Sequence, residues 1–423
     1  MIVICCLVVA LTPPAARGQK VKPPEIENPP VTDWLSRDYL IDVNDWRADL
    51  KRDQGITFIA NYSVDVLSNP TGGLESATQY STLGFFGFDI DLEKLIGDPG
   101  LEGWRLFGTG YNAEGRDLSS NIGSAIAPSN LFSGVVPVGL AELYLAREVD
   151  GISFRVGRIT PGDYFSDSAI WYNYVSLAYD DTPWSLTENN VNFEGEPGAL
   201  WMVQMDGKIT ERWSVSLGLA NTSRSDITDP SKRGVDFHFN PLRGTLFMAE
   251  VDHRWEADFF GEESLVGKAT LGGYYDTAKF DLLNPPQNGA QTNNGLGAAW
   301  VILEQQLIAG EDSDDLGLTL WAQGSWSGPQ RMAPIPWFVS GGFVYQGIFP
   351  GRTEDSLAFG AARAWFSRAL NGQNHETNLE LTYLIQVTPW LQFQPDLQYI
   401  IRPNGLTTID NAVVVGFQSA ITF

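Results

Sequence analysis

The chain has 423 residues, 51 Asp and Glu against 27 Lys and Arg, a formal charge of −24, and 12% aromatic residues. So acidic a chain repels nucleic-acid phosphates, and its aliphatic and aromatic content is too high for a disordered one. Outside the first eleven residues no apolar run approaches the roughly 18 to 20 residues of a membrane-spanning helix.

Residues 1–18 read as a secretory signal peptide. Ile2 to Leu11 form an apolar stretch, Pro13 and Pro14 break it, and Ala16 and Gly18 stand at −3 and −1 of a cut before Gln19. Cys5 and Cys6 both fall inside it, so the chain that follows has no cysteine and cannot depend on disulfides. Losing Arg17 takes the charge to −25. Residues 19–41 carry the pairs Pro23-Pro24 and Pro29-Pro30 and read as an extended spacer. Over 42–54 the spacing predicts one short amphipathic helix, with Asn44 or Asp45 as its cap and Trp46 and Leu50 on one face.

From residue 55 to 423 the pattern changes to strict alternation. Leu391, Phe393, Pro395, Leu397, Tyr399 and Ile401 share one face, while Gln392, Gln394, Asp396, Gln398 and Arg402 share the other. Leu379, Leu381, Tyr383, Ile385 and Val387 alternate with Glu380, Thr382 and Gln386. Similar runs begin at Ile56, Trp213 and Phe247. About sixteen such segments of roughly 9 to 11 residues can be counted, the length of a tilted bilayer-crossing strand. No domain break or propeller-period repeat interrupts them. The expected fold is therefore all-β: a transmembrane antiparallel β-barrel of about 16 strands, closed so that no sheet edge meets lipid, preceded by a short helix.

The last segment alternates through Val413, Val415, Phe417, Ile421 and Phe423, in the phase that outer-membrane barrels present to their assembly machinery. Thr388-Pro389-Trp390 is a tight turn and Arg402 to Asn411 a longer polar loop, which puts the chain end on the short-turn, periplasmic side. Trp337, Tyr345, Trp365, Tyr383, Trp390 and Tyr399 then suit interfacial girdles.

Several runs resemble the carbohydrate-selective porins, the OprB-type outer-membrane family. Near the start these are Asp38-Tyr39-Leu40, Asp45-Trp46-Arg47 and Gly55-Ile56-Thr57-Phe58. Asp89-Ile90-Asp91-Leu92-Glu93-Lys94-Leu95, Gly115-Arg116-Asp117-Leu118-Ser119 and Phe154-Arg155-Val156-Gly157-Arg158 follow. Gly272-Gly273-Tyr274-Tyr275, Glu380-Leu381-Thr382-Tyr383 and Gln394-Pro395-Asp396-Leu397-Gln398-Tyr399 complete them. The resemblance implies a sixteen-stranded barrel in the outer membrane of a Gram-negative type bacterium, passing glucose-like monosaccharides and similar polyols. Its partners would be those sugars, the surrounding outer-membrane lipid and, through the strand ending at Phe423, the barrel assembly machinery. Nucleic acid is not among them. The sequence departs from the family pattern at Arg47-Ala48, where glycines are expected, and at Ala113-Glu114, where some relatives carry an extra arginine.

On the residues themselves, Gln392, Gln394 and Gln398 with Thr382, Gln386 and Glu380 form an expected water-facing wall of hydrogen-bonding groups, able to exchange with sugar hydroxyls. Arg116, Arg155 and Arg158 are the cationic candidates for a constriction, with Glu114 and Glu142 as acidic partners, because a guanidinium presents a planar fork of donors. No catalytic set, metal site or cofactor is expected. His238, His253 and His375 are far apart, and Gly324-Ser325-Trp326-Ser327-Gly328 puts Trp where a nucleophile elbow needs Ser. The expected function is passive, carbohydrate-selective diffusion. The alternatives are a secreted carbohydrate-binding or glycan-hydrolysing β-protein and a general porin without sugar preference.

Overall fold

The computed structural model describes residues 36–423 except 43–44, 132–133, 180–181, 196, 223–231, 236, 260, 288 and 311–315. The signal peptide expected over 1–18 and nearly all of the spacer expected over 19–41 thus lie outside the described residues, as does Asn44.

The alternating segments form sixteen antiparallel strands. In chain order they are β1 (Ile56–Gly73), β2 (Thr78–Asp91), β3 (Trp104–Gly115), β4 (Val136–Val149), β5 (Ile152–Ile159) and β6 (Leu200–Lys208). Then follow β7 (Trp213–Asn221), β8 (Thr245–Phe259), β9 (Glu262–Asp281), β10 (Thr292–Ala309) and β11 (Gly317–Gly328). The last are β12 (Trp337–Gln346), β13 (Ser356–Trp365), β14 (His375–Thr388), β15 (Leu391–Ile401) and β16 (Asp410–Thr422). Each pairs with its sequence neighbour, and β1 pairs with β16 to close the barrel. The strands run from 8 to 20 residues, so several extend past the expected 9 to 11. Alternation in sequence fades where a strand continues beyond its apolar belt, because no single solvent then covers either face.

Closure is fixed by the chain ends. Asn61 pairs with Thr422 and Leu67 with Gly416. Past the ladder, Phe423 donates its N–H to Ala60 O at 2.8 Å and Leu40 to Thr422 O at 2.9 Å. Leu40, the start of β1 and Phe423 therefore lie at one end of the barrel. Connections there include 150–151, 260–261 and 389–390, while the opposite end carries 116–135, 160–199 and 222–244. A closed ring leaves no unpaired edge.

Side chains alternate as the spacing demands. Phe393, Leu397 and Tyr399 are exposed on the outer face; Gln394, Asp396 and Gln398 point inward and are buried. Among the aromatic girdle candidates, Trp337 is exposed and pairs across the ladder with Trp365, whereas Trp390 is buried. The N–H of Thr422 reaches the Trp390 carbonyl at 2.9 Å, tying that residue's turn to the final strand.

Among the described residues the helix α1 (Trp46–Gln54) precedes the barrel, and a short helix α2 (Leu92–Ile96) lies between β2 and β3. The residue before α1, Asp45, has φ 53° and makes no side-chain cap; the helix ends instead on Gly55, whose left-handed φ of 70° lets its N–H reach Lys51 O at 3.1 Å. Arg47 anchors it. Its Nη2 donates to Phe58 O at 2.7 Å, and its guanidinium lies 4.0 Å from the centre of the Tyr39 ring. The arginine that departs from the family pattern is thus the staple between helix and wall.

Arg47→Ala removes a charge-assisted hydrogen bond and the ring contact. Trypsin should then cut at the exposed Lys51 and Arg52 about tenfold faster in the folded barrel, as the helix detaches. Equal cutting rates would show that the helix is held by other contacts.

Candidate solute pathway through the barrel

Two long connections from the loop end turn inward. The first, 116–135, starts with α3 (Ser119–Ile122) and then runs through Ala125 to Asn130 along the lumen wall. The second, 160–199, is a chain of short turns with one helical turn, α4 (Ser185–Asn189). Its apolar side chains explain its position: Phe165, Trp171, Tyr174, Tyr179, Leu186 and Phe193 are fully buried, a load no solvent-exposed loop could carry. They pack on lumen-facing wall residues. Trp171 meets Trp321 edge-on at 5.0 Å, and Phe193 lies 5.3 Å from Trp300. The wall makes room for them. A Cβ on Gly360 would stand 2.6 Å from the Tyr179 ring.

Polar groups of the wall satisfy the backbone of these segments. Glu142 Oε1 accepts from Thr160 N and Oγ1, both at 2.8 Å, and Glu142 Oε2 from Tyr164 Oη at 3.2 Å. Glu250 Oε2 accepts from Ser166 N and Trp300 Nε1, both at 2.7 Å. On β14, Glu380 takes Val175 N at 2.7 Å and Ser176 N at 3.1 Å; Glu376 takes Ala125 N at 2.8 Å and Ile126 N at 3.0 Å. Gln394 donates to Asn173 O at 3.0 Å and Gln398 to Pro128 O at 2.7 Å.

The candidate residues accordingly separate. Gln394 and Gln398 face the lumen, but loop carbonyls occupy their amides, so they do not form an open water-facing wall. Gln392 is half-buried and donates to Gln386 Oε1 at 2.9 Å. Arg155 and Glu142 come together beneath the second segment: Arg155 forms a buried ion pair with Asp206 of β6 and lies 5.0 Å from the Tyr164 ring centre. Arg158 does not join them. Three residues apart on one strand means opposite faces, and Arg158 is buried on the face of Phe154 and Val156, paired with Leu143 and Trp201. Glu114 also lies off the lumen face, because the phase of β3 turns Phe107, Thr109, Tyr111 and Ala113 inward. Arg116 is exposed at the loop-end rim, its N–H bonded to Tyr80 O at 2.8 Å.

What stays open to water is the other side of the lumen. Thr57, Asn61 and Ser63 of β1 are half-buried there, whereas Gln418 of β16 donates to Asn130 Oδ1 of the first segment at 2.9 Å; Arg105 of β3 is held by Asp89 of β2 in a two-point contact of 2.9 and 2.5 Å. The second segment also carries acidic groups that are not fully buried, Glu188 and Glu194. Glu188 on α4 is exposed to water, yet the protein packed around its segment displaces bulk solvent and pushes its carboxyl up to about 7. Glu194 rises to about 7 for the same reason, reinforced by the neighbouring charge of Glu188. The sequence places Thr57, Asn61 and Ser63 on the polar face of their strand but does not mark any of these residues as a solute contact. The aromatic, non-alternating stretch from Tyr164 to Phe193 was the available signal, since so apolar a connection has to be buried.

A sixteen-strand ring closed on itself and narrowed by its own loops is the architecture of an outer-membrane channel. Residues 75–423 match the carbohydrate-selective porin, OprB family, and the chain belongs to it. It is an integral β-barrel porin of the outer membrane, for carbohydrates. Porin B of Pseudomonas aeruginosa is 24% identical over 412 residues, covering 88% of each chain. A porin of Acinetobacter baylyi described as QuiX is 22% identical over 64% of this chain and 66% of its own length. The high-pH structure of Pseudomonas putida OprB superposes with a TM-score of 0.80 at 24% identity, over 92% of this chain and 99% of that one, and shows the same fold.

Two outcomes follow for the charged groups. Both Glu188 and Glu194 are raised to about 7, so their protonation between pH 8 and pH 6 should shift the reversal potential away from cations. Glu188→Gln with Glu194→Gln should flatten that profile; an unchanged profile would assign it to other groups. Arg155→Met should cost about 3–5 kcal/mol by stranding the Asp206 carboxylate. Adding Asp206→Asn should recover most of the loss in thermal unfolding in detergent.

Proposed function

We propose that this porin is a passive conduit for neutral solutes of monosaccharide size, with no energy source. The observation that supports it best is the division of the lumen. One side is filled by residues 160–199, and the other keeps uncharged hydrogen-bonding groups, Thr57, Asn61 and Ser63, only half-buried and within reach of water. Hydroxyls can exchange water for such groups at little net cost. Arg105, fixed by Asp89, presents a rigid guanidinium edge at the terminal end of this path. Arg155 and Glu142 serve as a brace for the lumen segment, Gln392, Gln394 and Gln398 as wall clamps, and Arg116 as a rim charge met on entry.

In this reading the termini face the periplasm and the long connections face outward. The exposed apolar faces of Phe86, Val203, Leu271 and Leu381 meet outer-membrane lipid. The strand ending at Phe423 is the assembly signal, 1–18 the cleaved leader and 19–41 a periplasmic spacer. The protein acts as a channel rather than an enzyme, as porins do.

The test is single-channel current in a planar bilayer with sugars titrated in. Saturable block by a monosaccharide, weakened several-fold by Arg105→Ala, is the expected result. Current indifferent to every sugar would leave a general porin, and no channels from folded protein would overturn the reading.

A further inference from the structure

The wall behind the lumen segments is patterned. On β14, Glu376 and Glu380 are four residues apart on the lumen face, about 13 Å along the strand. Each accepts the N–H groups of two successive loop residues, 125 and 126 for Glu376 and 175 and 176 for Glu380. On the neighbouring β15, Gln394 and Gln398 repeat that spacing with the opposite polarity, donating to the carbonyls of Asn173 and Pro128. Acids thus meet N–H groups and amides meet carbonyls.

The two lumen segments are also bonded to each other. Asn130 N reaches Val175 O at 2.7 Å, and Leu177 N reaches Ala127 O at 3.1 Å. They form one body, clipped to β14 at two points. Glu376 further accepts Asn404 N at 2.6 Å, tying in the connection between β15 and β16. A carboxylate can accept on both oxygens, whereas a glutamine in its place turns an NH₂ against one of two converging N–H groups.

We propose that Glu376 and Glu380 are positioning residues for permeation: by holding successive backbone N–H groups of the two lumen segments, they set the size of solute the channel passes. This rests on the porin reading above. Both side chains are buried, so they act on solute through the loops and not by touching it.

Liposome swelling with neutral mono-, di- and trisaccharides reads width without charge. Wild-type protein that passes monosaccharides and retards larger sugars upholds the porin reading independently. Glu376→Gln with Glu380→Gln should then raise trisaccharide entry at least about fivefold relative to monosaccharide, with the barrel intact by heat-modifiable migration. Glu380→Asp, which keeps both oxygens, should recover part of the restriction. Ala125→Pro deletes one donor from the loop side. It should reproduce the Glu376→Gln effect, and the two together should add little beyond either. The loop variants carry the test if the wall variants fail to fold. Unchanged size ranking in folded variants, or full additivity of Ala125→Pro with Glu376→Gln, would overturn the proposal.

Discussion

A ring of sixteen strands encloses more space than its own wall side chains can fill, and the rest of the structure follows from how that space is occupied. Closure through β1 and β16 satisfies the backbone of every strand and removes both edges. It leaves, however, a lumen into which the wall points Trp300, Trp321 and Phe338 as well as buried acids and amides. Water alone would cover the former badly. The segment 160–199 covers them with its own aromatics, and its backbone finds partners in the acids and amides.

Those wall groups work because they are complementary to peptide groups rather than to each other. Buried carboxylates are costly unless fully bonded. Glu142, Glu250, Glu376 and Glu380 each have at least two donors. The buried ion pair of Arg155 with Asp206 at the root of the segment lies within the wall itself. A rigid partition results, and the path for solute is the strip of lumen that the partition leaves wet. Acids carried by the segment, such as Glu188 and Glu194, lose bulk solvent to the protein packed around them, so their charge counts for more than it would at an open surface.

How far the sequence revealed this depends on the kind of contact. Period-two alternation located the faces of β14 and β15 correctly, because each side chain's direction is set by its own backbone. It also implied the barrel and its closing strand. Alternation cannot say what will arrive from a loop 200 residues away, so Gln394 and Gln398 read as open to water when they hold Asn173 and Pro128. Two candidates were misplaced by counting charges instead of phase: Arg158 is an odd number of residues from Arg155, and Glu114 is out of step with Thr109 and Tyr111. The pairing of Arg105 with Asp89 went unnoticed because it joins two strands.

The idea most open to challenge is that the folded-in segment, and not the barrel diameter, decides which solutes pass. Replacing residues 163–194 by a short Gly-Ser linker and measuring liposome swelling with graded neutral sugars addresses it directly. If the segment is the partition, monosaccharides and trisaccharides should enter the shortened channel at nearly equal rates while the barrel stays heat-modifiable. An undiminished preference for monosaccharides in that folded, shortened channel would mean the restriction lies elsewhere in the wall.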